Sequence, residues 1–67
     1  MEPQELETLR ESIRKLNRQA LNLKMDLHDL SEELPLGWER IPEIATRTFE
    51  IYRDLAAAKE RLKNAEA

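Results

Sequence analysis

The chain has 67 residues, 37% of them charged and 4% aromatic, with no cysteine and a formal net charge of −3. That length allows one small domain, the missing cysteines exclude disulfides and thiolate metal sites, and the charge balance gives no overall pull toward nucleic acid or an acidic membrane. A single core below roughly 70–80 residues rarely supplies more than about 3–5 kcal/mol, so association is the expected source of further stability.

Residues Met1 to Gln4 lack the basic start and apolar stretch of a signal peptide, and no apolar run approaches the ~20 residues of a membrane span. A soluble, cytoplasmic chain is expected. Pro3 suits a first helical turn, where its fixed φ fits and its missing N–H would have no partner. Glu2, Glu5 and Glu7 then sit near the positive end of the helix dipole. From there Leu6, Leu9, Ile13, Leu16, Ala20, Leu23, Leu27, Leu30 and Leu34 recur at alternating steps of three and four. This repeat predicts a helix over about 3–34, laid along a partner helix and about 48 Å long.

Pro35 disfavours helical geometry at the residue before it, and Gly37 gives the chain freedom to turn, so a turn is expected over 35–40. Pro42 is tolerated only in a first helical turn, which suggests a tighter turn through Trp38 to Arg40 before the regular helix. The second helix is placed at about 41–65, with Ile41, Ile44, Thr48, Ile51, Leu55, Ala58, Leu62 and Ala65 in the same rhythm. Asn64 to Ala67 are expected to fray. Residues 1–67 thus read as one all-α domain, an antiparallel two-helix hairpin.

Folding the stripes together sets Leu34 near Ile41, Leu27 near Thr48, Ala20 near Leu55, Leu16 near Ala58 and Ile13 near Leu62. Large then meets small, which favours an intramolecular hairpin over a parallel self-paired coil in which Ala20 would face Ala20 across a void. A second apolar strip flanks each stripe: Leu21 and Met25 on the first helix, Ala45, Phe49, Tyr52 and Ala56 on the second. Burying a Leu, Met or Phe is worth roughly 1.5–3 kcal/mol, so these side chains favour a homodimer, with two hairpins stacked into a four-helix bundle-like or rod-like assembly.

The chemistry is concentrated near the end of the first helix. Asp26, Asp29, Glu32 and Glu33 surround His28, the chain's one histidine. On a helix, His28 lies beside Met25 and Asp29 and one turn before Glu32, off the leucine stripe and facing outward. An imidazole with carboxylates one turn away is a minimal half-site for a divalent transition metal, which a symmetric dimer could complete. The candidate ligands are His28, Asp29, Glu32, Asp26 and Met25. His28 would supply a neutral imidazole, Asp29 and Glu32 oxygens, Asp26 would stand at the edge, and the soft thioether of Met25 is the weakest. The plainer reading of the same residues is a solvated helix face with an ordinary i to i+4 pair.

Arg10, Arg14, Lys15 and Arg18, with Lys24 further along, make a basic patch that could meet phosphates. Glu7 and Glu11 interleave with it as i to i+3 and i to i+4 partners, and no aromatic stands among the cations to stack on a base. Ser12 and Ser31 have no histidine at a nucleophile-to-base spacing, and two helices enclose no deep pocket, so catalysis is not expected. Ile41 to Ala67 carry five acidic and five basic residues. Spacings such as Glu43–Arg47 and Glu50–Arg53 mark a surface pattern.

The stretch Lys24-Met25-Asp26-Leu27-His28-Asp29-Leu30-Ser31-Glu32-Glu33-Leu34-Pro35, followed by Gly37-Trp38-Glu39-Arg40-Ile41-Pro42, resembles the small Rop-like nitrogen-fixation-associated proteins of diazotrophs, a family sometimes described as metalloproteins. Their signature is a K-x-D-L-H-D-L-A-E-x-L-P stretch ending the first helix. Ser31 stands here where Ala is common, and Thr48-Phe49-Glu50 and Tyr52 fall where the family also carries an aromatic. The resemblance implies an antiparallel hairpin that dimerises and a role supporting assembly or maturation of the nitrogenase metal cofactor. Carried across, the signature falls on Lys24, Asp26, Leu27, His28, Asp29, Leu30, Glu32, Leu34 and Pro35. The leucines and Pro35 have structural tasks, so Asp26, His28, Asp29 and Glu32 remain.

The resulting expectation is a non-enzymatic accessory protein of nitrogen fixation. It would bind a divalent metal ion or dock nitrogenase or cofactor-assembly proteins through the His28 patch. Two alternatives stand beside it: a Rop-like RNA-binding bundle using Arg10, Arg14, Lys15 and Arg18, against which the acidic net charge argues, and a structural adaptor making contacts through Trp38, Phe49 and Tyr52.

Overall fold

The fold was taken from a computed structural model that describes residues 2–66. Helix α1 spans Pro3–Glu33 and helix α2 spans Ile41–Glu66, joined by a short turn and a 3₁₀ turn at Trp38–Arg40. At the start of α1 the Leu6 amide donates to the Glu2 carbonyl at 3.0 Å, and proline occupies the first turn. At its end Leu34 is extended at ψ 142°, the geometry that a following proline imposes, and its amide still donates to the Leu30 carbonyl at 3.2 Å. The Leu34–Pro35 peptide is cis.

Gly37 has φ +76°, a left-handed conformation that reverses the chain, and its carbonyl accepts from the Arg40 amide at 3.0 Å. A Cβ at this position would stand 3.3 Å from Leu30 Cδ1, so the turn closes directly on the end of the core. Helix α2 reaches Glu66 without interruption, so Asn64 to Glu66, expected to fray, are its last helical residues. Ala67 lies outside the described residues.

The two helices pack along their length into a rod of 49 × 14 × 14 Å. Leu9, Ile13, Ala20, Leu55 and Ala58 form one buried cluster, with Leu16, Ile51 and Leu62 packed against it. Leu30 and Ile44 are buried at the turn end. Alanine accounts for the close approach: Ala20 and Ala58 leave room into which the larger leucines and isoleucines of the facing helix fit. Thr48, in the stripe, donates its hydroxyl to the Ile44 carbonyl at 2.7 Å and so brings no unpaired polar group into the seam.

The stripe is not sealed throughout: Leu27, Leu34 and Ile41 remain exposed. The rod's two long sides also differ. On one, Arg10 Nη2 reaches Glu66 Oε2 at 3.2 Å across the seam. On the other, Gln19, Asn22 and Asp26 of α1 and Arg47, Glu50 and Asp54 of α2 line a polar groove over Leu23 and Ile51.

Candidate functional site

His28 sits on the outward face of α1, seven residues after Leu21 and therefore nearly above it on the same strip of the helix. Its Nε2 lies 3.6 Å from Glu32 Oε1, with both side chains about 70% exposed (69% and 71%). The Ser31 hydroxyl donates to the His28 carbonyl at 2.7 Å, so Ser31 turns back onto the backbone instead of joining the patch. Leu21, Lys24, Met25, His28 and Asp29 line one shallow depression on this face. The arrangement therefore brings together an imidazole, a carboxylate one turn later, a second carboxylate beside it and a thioether.

Asp26 stands apart. It lines the polar groove on the other side with Arg47 and Glu50, where a carboxylate faces a guanidinium across the seam. Among the described residues no three His, Cys, Asp or Glu side chains come close enough to hold one metal ion. From a single chain, His28 and Glu32 bring two donors together, and any metal held here would need further donors from a second molecule.

The basic patch is partly neutralised within the chain, but not by the pairs that spacing suggests. Arg10 reaches Glu66 on the other helix, and Arg14 Nη2 meets Glu7 Oε1 at 3.3 Å, two turns away. Thr8, Glu11, Ser12, Arg14, Lys15 and Arg18 line an open hollow in which Glu11 sits among the cations. On α2, Arg47 does pair with Glu43 at 3.9 Å, whereas Arg53 turns to its neighbour Asp54 at 3.1 Å and not to Glu50.

Two groups of exposed apolar side chains lie away from the His28 patch. The tip of the hairpin presents Leu36 and Trp38 to solvent, and Leu21 on α1 and Phe49 and Tyr52 on α2 are exposed along the rod.

The Rop-like family model matches residues 4–67. A "UPF0437 protein" of Azorhizobium caulinodans is 44% identical over 63 residues, covering 94% of this chain and 91% of its own. A "UPF0437 protein" of Trichormus variabilis is 48% identical over 63 residues, covering 94% of this chain and 73% of its own. A relative in Frankia alni, described as lying in the nifX-nifW intergenic region, is 50% identical over 44 residues, covering 66% of this chain and 54% of its own. The NMR structure of a structural-genomics target superimposes with a TM-score of 0.84 at 50% identity, over 90% of this chain and 84% of that one.

Proposed function

The chain belongs to the Rop-like family, and from that premise we propose that it is a non-enzymatic accessory protein of nitrogen fixation that docks a basic protein on the outward face around His28. The observation that carries this reading is the exposed group of Met25, His28, Asp29 and Glu32 on one straight helix, where no side chain of α2 covers them. The place of the Frankia alni relative between nifX and nifW supports the nitrogen-fixation setting. A partner drawn from nitrogenase or its cofactor-assembly proteins fits that setting. No helix is long and apolar enough to cross a membrane, and the reading takes the chain to work in the cytoplasm.

Docking here works by charge and shape. Asp29 and Glu32 attract a cationic surface over distances near the Debye length of about 8–10 Å, and Met25 offers an adaptable apolar contact at the centre. The rigid helix means that little order is lost on binding. Tagged chain, carrying either the native residues or Asp29→Lys with Glu32→Lys, is compared as bait against purified nitrogenase and cofactor-assembly proteins. The double reversal should abolish capture and His28→Gln should weaken it; unchanged capture by the reversed bait refutes the docking surface.

A second reading is favoured by the 3.6 Å approach of His28 to Glu32, a two-donor half-site for a divalent transition metal, with Asp29 at its edge and Asp26 and Met25 as weaker candidates. Binding should then weaken in acid, as protons compete for the imidazole nitrogen. Calorimetric titration of Fe(II), Ni(II) and Zn(II) into the native protein and His28→Ala separates the readings. Equal binding by both proteins ends the metal assignment.

A further inference from the structure

The turn end of the rod is chemically unlike the rest of it. Between Lys24 and Arg47 the chain places six carboxylates, Asp26, Asp29, Glu32, Glu33, Glu39 and Glu43, against one guanidinium, Arg40. That stretch therefore carries a formal charge of −5 within a chain of −3, which leaves +2 for the remainder. Glu43 pairs with Arg47 and Glu32 with His28, whereas Asp29, Glu33 and Glu39 have no cationic partner among the described residues. Helix α1 also ends against its own dipole. Its last turn holds no basic side chain, and Glu32 and Glu33 stand at the negative pole of the C-terminal carbonyls, where a cation is the stabilising neighbour.

Set in this field is an apolar tip. Leu34, Leu36, Trp38 and Ile41 are 41%, 76%, 63% and 39% exposed, four side chains within eight residues. They leave on the order of 450 Å² of apolar surface, within the range of the largest patch on a typical monomer. The backbone beneath them is fixed, since the Leu36 amide donates to the Glu33 carbonyl and the Arg40 amide to the Gly37 carbonyl, each at 3.0 Å. Trp38 is thus presented on a closed turn, and little order is lost when it is covered.

We propose that this tip is the contact point for a partner protein whose surface carries an apolar pocket ringed by lysine and arginine, with Trp38 as the side chain that fills the pocket. The inference deepens the docking reading above and rests on it for a basic partner; it moves the centre of the contact from the His28 face to the end of the hairpin. Charge selects the occupant. The tip of another copy would bring −5 against −5, and an anionic membrane would be repelled in the same way. The open end of another copy fits no better, since the hollow there is lined by Glu2 and Glu5 with one cation, Arg61. A cationic rim answers Asp29, Glu33, Glu39 and the carbonyl pole of α1 together. Tryptophan desolvated at the centre of such a patch is among the residue types that contribute most to binding.

Hydroxyl-radical footprinting of the full chain, read by mass spectrometry, tests this, because Trp38 reports the tip and Met25 the His28 face, and both are exposed in the free chain. The chain is oxidised alone and with each of the purified nitrogenase and cofactor-assembly proteins. Trp38 should be protected in one of the mixtures, with or without Met25. Leu36→Ser with Trp38→Ser should bind that protein at least about tenfold more weakly. Glu33→Lys with Glu39→Lys keeps the apolar side chains and should also weaken binding, by a factor that shrinks as salt is raised. Both variants replace exposed side chains and should keep the native circular dichroism. Protection of Met25 with Trp38 oxidised at its free rate overturns the tip contact and leaves the His28 face standing; protection of Trp38 alone does the reverse. Protection of neither residue by any of these proteins overturns both. Protection of Trp38 on concentrating the chain alone would assign the tip to a second copy and overturn the proposal as well.

Discussion

Gly37 shows how one residue closes the hairpin. Its φ of +76° lies where an L side chain costs about 1–2 kcal/mol, and an added Cβ would press on Leu30, which is almost completely buried. Gly37→Ala should therefore lower stability by about 1–2 kcal/mol, seen as a lower midpoint in urea with an unchanged slope. His28 is the contrasting case, a side chain with no structural task in the packed seam. Its replacement should leave the unfolding midpoint within about 0.5 kcal/mol of the native value, so that any change in metal or partner binding can be read as local. The ion pairs elsewhere on the rod, Arg14 with Glu7, Arg47 with Glu43 and Arg53 with Asp54, join exposed groups and add little to stability.

At the scale of the helices, the packing depends on a few layers. Leu55 is buried against Ala20, Ile13 and Ala58 in the main cluster. Removing its side chain forfeits transfer energy and opens a cavity, worth about 2–5 kcal/mol for Leu→Ala. Set against the roughly 3–5 kcal/mol that a core of this size supplies, Leu55→Ala should lose most of the helical circular dichroism at 25 °C. Leu36→Ala, at the exposed tip, should leave the spectrum unchanged.

At the scale of the molecule, the rod is divided into sides with different chemistry. The polar groove, the strip through Leu21 and Met25, and the basic tail end come from the same two helices viewed from different angles. Nucleic-acid binding of the Rop type would need several free cations on one face, yet Arg10 and Arg14 already hold Glu66 and Glu7. Gel-shift titration with a double-stranded or loop RNA should give no complex at 0.15 M salt, and a complex abolished by replacing Arg14 and Arg18 would refute this.

The hairpin itself was legible in the chain. A repeat of three and four from Leu6 to Leu34, a break at Pro35 and Gly37, and the same repeat from Ile41 to Ala65 admit few other folds, because each apolar stripe must be covered and a short turn leaves only the other stripe to cover it. The outward placement of His28 followed from the same register, since a residue one step past a core position points away from the seam. The polar pairs were legible only in part: Glu43 with Arg47 and His28 with Glu32 follow the i to i+4 spacing, whereas Arg10 found its carboxylate on the other helix and Arg14 found its own two turns away on α1.

Tertiary packing alone decided which side of the rod each residue shares with the opposite helix. Periodicity fixes an angle around one helix axis, and it holds no information about which flank of the second helix lies beside that angle until the two are packed in one direction and register. That is why Asp26, two residues from His28 in sequence, belongs with Arg47 and Glu50 in the groove, while Leu21 and Met25 line the outward depression with His28 and Asp29.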